Sequence, residues 1–188
     1  MDQTTQKVAD YCEKHFTTTL LKAGPEFSYL GKHLPLVIKW AKRLLQLYPY
    51  ANKEVVMSAV WLHDIGQMIG DKNIDHAINS ENEVNRLFSE AGISKEIMDK
   101  TAHCARAHRC KDVQPETLEA KIVAVSDSAS HMTDYVYVSM ITTQGKGAAL
   151  GKLERDYRDI RLLPELKNEL TELYSAWKHL LDVFPVME

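Results

Sequence analysis

From Val55 to Gly66 the chain runs Val55, Val56, Met57, Ser58, Ala59, Val60, Trp61, Leu62, His63, Asp64, Ile65, Gly66. No other segment limits the possible folds as much. A run this apolar belongs in a core, yet it ends on an imidazole and a carboxylate side by side. An ionised carboxylate costs several kcal/mol to bury unless it is paired or bound to a cation. A neutral imidazole next to it completes a pair of metal ligands. The His63-Asp64 step therefore asks for a metal ion, and for further ligands from elsewhere in the chain.

The surrounding pattern is helical. Apolar spacings of three and four dominate and strand-like alternation is scarce, so the expected fold is all-α, a helical bundle in a single domain over residues 1–188. The first helix is expected from Thr5 to Lys22, stopped by Gly24-Pro25. The second runs from Leu34 to Tyr48, with Pro35 in its first turn. Asn52 caps the third, which ends at His63-Asp64. Asp75 caps a fourth that runs to Glu90, and Ser94 a fifth from Lys95 to Arg109. A sixth extends from Pro115 past Asp127 to Met140. Thr142 to Gly151, with three glycines, reads as a mobile loop. Leu153 to Phe184 is helical again, with a break near Pro164.

Composition narrows the function. Hydrophobic residues make up 45% and charged residues 26% of the 188 residues, as in a soluble globular protein. The net charge of −3 gives no reason to expect general nucleic-acid binding. An anionic substrate would need a local positive centre instead. No apolar stretch approaches the roughly 18–20 residues of a membrane span, so no membrane partner is expected. The first residues resemble no signal peptide, and Cys12, Cys104 and Cys110 form no disulfide framework. A reduced, cytoplasmic protein is expected, with homo-oligomerisation left open.

The histidines fall at element ends. His33 precedes the second helix by one residue, His76 opens the fourth, and His103 and His108 lie late on the fifth. Ile97, Thr101, Cys104 and His108 share one face of that helix, which turns His108 toward the core or a site. His103 falls on a polar stripe and is expected to face water. Asp127 sits among Ile122, Val123, Val125 and Ala129. There it is either a buried Asp bonded to a neighbouring helix or a metal ligand.

In this order, His33, His63-Asp64 and Asp127 resemble the HD superfamily of metal-dependent phosphohydrolases, over roughly Gly31 to Asp134. The segment Trp61 to Gly66 is similar to the family's central motif. The resemblance implies an HD core over about residues 31–134, with C-terminal helices over 152–184 packing on it. It implies His33, His63, Asp64 and Asp127 as metal ligands. Asp75-His76-Ala77 and Arg106-Ala107-His108-Arg109 look like positions that complete a second metal site in some relatives and line a phosphate pocket in others. Gln67 stands where the family often has Lys, and it donates a hydrogen bond without charge. The Gly-Tyr-Pro motif of the cyclic-di-GMP phosphodiesterase branch is absent, which argues against that branch.

The implied chemistry is attack of metal-bound water on a small phosphoester or phosphoanhydride. A nucleotide is the first expectation, split by a nucleoside triphosphate pyrophosphohydrolase or a nucleotidase. The cofactor would be one or two divalent ions, Mn, Fe, Co, Ni or Zn before Mg, given the imidazoles. Asp64 would bridge two ions if two are present. Asp64, His76 and His108 are the catalytic candidates, while Glu83, two turns after His76, reads more readily as a solvated Glu than as a catalyst. Gln67, Arg109, Lys152 and Arg155 are the candidates for holding substrate, with Arg106 and Lys111 nearby. A di-iron oxygenase on the same scaffold uses the same residue types. A non-catalytic sensor or interaction domain usually loses ligands that are all present here. Four ligands drawn from His103, Cys104, His108 and Cys110 cannot wrap one zinc from a single helix end.

Overall fold

The computed structural model describes residues 3–185, with side chains from residue 7 onward. Among the described residues there are nine α-helices, two 3-10 turns and no strand, so the all-α expectation holds. The helices are α1 (Gln3–Lys22), α2 (Ser28–Leu47), α3 (Lys53–Leu62), α4 (His76–Glu90), α5 (Lys95–Ala107), α6 (Leu118–Met132), α7 (Val136–Gln144), α8 (Lys146–Ile160) and α9 (Pro164–Val183). The 3-10 turns are Pro25–Phe27 and Ile65–Gln67. The chain divides into two compact units, residues 1–124 and 125–188, with the boundary inside α6.

In the first unit α3 is the central element. It packs against α1, α2 and α5, and α4 packs on α5 and on the 65–67 turn. Seven of the ten residues of α3 are buried, which is why its sequence is apolar all round rather than striped. Three caps begin helices where the sequence places them. The Asn52 side chain accepts from Val55 N at 3.2 Å, Asp75 from Ala77 N at 3.0 Å and Ser94 from Ile97 N at 3.4 Å.

Helix α2 begins six residues earlier than expected, with Pro35 inside it. An internal proline removes a helix hydrogen bond and costs about 3 kcal/mol. Here Leu30, Leu34, Val37, Ala41 and Leu44 are all buried along the helix, and that burial overrides the proline. His33 therefore lies within the helix rather than before it. Tyr29 comes one turn earlier on the same face.

Two other expectations fail in the second half of the chain. The long sixth helix is in fact α6 and α7, broken at residues 133–135. Around the break, Thr133 Oγ1 donates to Ala129 O and Ser130 Oγ to Asp127 O, while Asp134 Oδ1 accepts from Tyr135 N. Such local side-chain bonds compete with helix continuation. The expected mobile loop from Thr142 to Gly151 is helical but for Gly145, whose φ of +88° alone makes the turn. Gly147 and Gly151 lie inside α8. In the second unit α8 packs against both α7 and α9, and Trp177 Nε1 donates to Met132 O at 2.8 Å.

Candidate metal centre

His63 closes α3 and His108 closes α5, and both rings are fastened the same way. His63 Nδ1 bonds Val60 O at 2.8 Å, and His108 Nδ1 bonds Ala105 O at 2.7 Å. A carbonyl only accepts, so Nδ1 carries the proton and a neutral ring presents its lone pair at Nε2. Backbone carbonyls behind histidines are a familiar way to aim the other nitrogen at a metal. His63 is 1% and His108 2% exposed, which leaves the rings little freedom.

Asp64 lies between two pairs of these nitrogens. Its Oδ2 is 3.7 Å from His63 Nε2 and 3.9 Å from His33 Nε2. Its Oδ1 is 3.1 Å from His76 Nε2 and 3.6 Å from His108 Nε2. The groups His33-His63-Asp64 and Asp64-His76-His108 each bring one ligand atom per residue within 4.8 Å of the others. Burial pushes the Asp64 carboxyl up, but His63, His108 and His76 outweigh it and hold the group well below the usual carboxylate range. Imidazole nitrogens converging on a shared anionic carboxylate fit a divalent transition metal. The residues present therefore suit such an ion.

Gly66 makes this convergence possible. A Cβ there would lie 2.1 Å from His76 O and 2.6 Å from Ser80 N. The start of α4 thus presses directly on the turn after Asp64, and Gly66 N donates to Ser80 Oγ at 2.9 Å. Asn79 adds a second tie, donating from Nδ2 to Asp71 O at 2.9 Å. At the rim, Arg109 pairs with Asp75, the cap of α4, and Lys111 Nζ lies 3.4 Å from the same Oδ2. Desolvation raises the Asp75 carboxyl, but the Ala77 amide and the Arg109 guanidinium lower it further than burial lifts it. On the other side, Tyr29 OH donates to Gln67 Oε1. The Tyr29 phenol is raised by burial and by the Asp64 charge.

Two expectations in this unit need correcting. Glu83 is not solvated: it is 9% exposed, and Oε1 lies 2.7 Å from His15 Nε2 while Arg86 Nε donates to Oε2 at 2.9 Å. His103 faces water only in part: it is half-buried with Nε2 enclosed, while the residue lines a surface pocket beside Glu81, Asn85 and Asp99.

Asp127 belongs to the second unit, on α6. His131 follows one turn later, with Nε2 3.7 Å from Asp127 Oδ1. Lys152 Nζ donates to His131 Nδ1 at 2.9 Å and to Asp156 Oδ1 at 2.6 Å, and Tyr137 OH donates to Asp156 Oδ2 at 2.8 Å. Burial raises the Asp156 carboxyl, yet Lys152 and His131 bring it below the usual range. Lys152 and Arg155 thus lie in a helix, not after a loop; Lys152 is engaged in this network and Arg155 is exposed. Sequence reasoning passed over His15, Tyr29, His131 and Asp156. Only the four-residue spacing of Asp127 and His131 carried a signal.

Among the described residues no helix is long and apolar enough to cross a membrane. Over 125 residues the chain is 31% identical to a tRNA (cytidine(56)-2'-O)-methyltransferase of Picrophilus torridus. That match covers 60% of this chain and 35% of the relative, so the chain spans about a third of the relative's length. No solved structure matches. The family model for the HD domain matches residues 30–132, which carry the five converging side chains and Asp127. HD domains bind divalent metals and are mostly metal-dependent hydrolases. On this match, over more than half its length, the chain belongs to the HD domain family.

Proposed function

We propose that this chain is a metal-dependent phosphohydrolase acting on a small phosphoester or phosphoanhydride, with a nucleotide as first candidate. The observation that carries the reading is the division of Asp64, one oxygen facing His33 and His63 and the other facing His76 and His108. That division suits two ions sharing one carboxylate. His33, His63 and Asp64 would hold the first, with Asp127 as fourth ligand by its place in the family's ordered set. Asp64, His76 and His108 would hold the second.

A bound divalent ion acidifies water and draws charge from a phosphoryl oxygen. The protein's own part is to position and to move protons. His63 and His108, locked by their backbone bonds, keep their Nε2 atoms aimed at Asp64. With a single ion bound, His76, the most open of the four histidines with its side chain 25% exposed, is instead free of metal and is the group best placed to meet a substrate oxygen or a departing alkoxide. With its Oε1 occupied by Tyr29, Gln67 offers its amide N–H to phosphate. Arg109, held beside the site by Asp75, Lys152 and Arg155 are the proposed charges for the remaining phosphates.

A panel of nucleoside mono- and triphosphates and simple phosphoesters, assayed with Mn²⁺, Ni²⁺, Co²⁺, Fe²⁺ and Mg²⁺ with and without oxygen, tests this. Oxygen-independent release of phosphate or pyrophosphate that Asp127→Ala abolishes is the expected result. Turnover surviving Asp127→Ala, or requiring oxygen, would sink it.

A further inference from the structure

A second cleft opens in the first unit, away from the converging histidines. It is a trough of about 670 Å³ between α1, α4 and the segment after the 65–67 turn. None of His33, His63, Asp64, His76 or His108 lines it. His15, Thr19 and Lys22 come from one face of α1, and Asn79, Asn82, Glu83 and Arg86 from one face of α4. Met68, Ile69 and Ile74 supply an apolar wall.

Its polar wall is a preformed network. Glu83 is buried and ionised, and it binds His15 at 2.7 Å and accepts from Arg86 Nη2 and Nε at 2.6 and 2.9 Å. Burial alone would raise its carboxyl, but Arg86 and His15 hold it at about 2. Ordering a carboxylate between a histidine of one helix and an arginine of another, 68 residues apart for the histidine, is not needed to fill a core. Burying a charge is costly unless it is paired and hydrogen-bonded; His15 and Arg86 do both for Glu83, and this fixes the polar wall in place. Small-molecule sites share this build: a few hundred Å³, largely apolar walls and a few convergent polar groups.

From this cleft we infer a second ligand site, for a planar, hydrogen-bonding heterocycle of nucleoside size. A polyanion is disfavoured, because Arg86 already serves Glu83 and Glu90 and Asp71 adds a negative charge to the wall. The exposed Asn82 amide, which carries both a donor and an acceptor, matches the edge of a base, while the bonds of Asn79 to Asp71 O and of His15 to Glu83 hold the wall behind it in place. Met68, Ile69 and Ile74 match its faces. Lys22 at the mouth would accept a single phosphate. The site also touches the metal centre's scaffold, since Asn79 lines the cleft and bonds Asp71 O, while Gly66 is packed against its Cβ. Occupancy would therefore stiffen the segment that sets His76 against Asp64.

Isothermal titration of the metal-free full chain with adenosine, guanosine, cytidine and uridine, and with their 5′-monophosphates, tests the site. Asn82 is exposed, so Asn82→Ala should fold normally and weaken binding by about three- to tenfold, the effect of one or two lost hydrogen bonds. Ile69→Trp, which fills the trough, should abolish it. Asp64→Ala should leave it unchanged, which separates this site from the proposed phosphohydrolase centre. A tighter monophosphate whose advantage Lys22→Ala removes would place the phosphate at the mouth. The inference falls if no nucleoside binds saturably. It falls equally if Asp64→Ala removes binding while Asn82→Ala and Ile69→Trp leave it intact.

Discussion

Asp64 shows how much one side chain can be asked to do. Its two oxygens face different histidine pairs, so Asp64→Asn, which keeps the shape but loses the charge, should affect both. Metal affinity measured by titration should fall by more than the roughly 10–100-fold seen for outer-sphere changes; retention of affinity would mean the carboxylate is not a ligand. Tyr29→Phe should leave the fold intact and free Gln67 to rotate. If Gln67 holds phosphate, KM should rise about three- to tenfold with kcat little changed, and an effect confined to kcat would contradict that role. Glu83 makes a statement about pH. Its carboxyl is held at about 2, below the ordinary 4.5, so its contribution is fully present above about pH 4.5. It is lost as pH falls toward 2. Arg86 is half exposed, and solvent screening brings the contribution to the order of 1–2 kcal/mol. Glu83→Gln should therefore be less stable than the parent at pH 7, with the gap closing near pH 2 in urea melts. A gap constant with pH would refute the assignment.

At the scale of elements, close approach of backbones outweighs propensity. Gly66→Ala places a methyl 2.1 Å from His76 O, where backbone on both sides cannot yield cheaply. Unfolding free energy should drop by about 2–4 kcal/mol. Gly147→Ala, in α8 with nothing within 4 Å of the new carbon, should instead gain about 0.5 kcal/mol from reduced freedom of the unfolded chain. Chemical denaturation of the pair separates a packing requirement from a helix-propensity effect. The caps Asn52, Asp75 and Ser94 were legible because a cap bonds an amide two or three residues away. The start of helix α2 was not, because what carries it through Pro35 is the burial of Leu30 and Leu34. The α6–α7 break escaped notice because Ser130, Thr133 and Asp134 look the same whether they bond solvent or backbone.

For the molecule as a whole, metal and fold should be linked in the first unit. An ion that binds the folded state alone adds about 2.7 kcal/mol at a concentration 100 times its Kd. That corresponds to about 5–10 °C in Tm for a chain of this size. Scanning calorimetry with Mn²⁺ or Ni²⁺ should show the rise in the parent and none in Asp64→Asn; equal shifts in both would disconnect the ion from this centre. What the sequence alone determined were the helical class, the caps and an ordered set of metal-ligating residue types. Each depends on spacing along the chain or on the narrow choice of side chains that bind metals. Tertiary structure decided which oxygen of Asp64 faces which histidines and that Glu83 is paired rather than solvated. It also decided that Tyr29 reaches Gln67 and that a cleft opens beside His15. Most of these contacts join residues far apart in the chain, 38 positions for Tyr29 and Gln67 and 68 for His15 and Glu83, and their geometry follows from how helices pack, which no local pattern encodes.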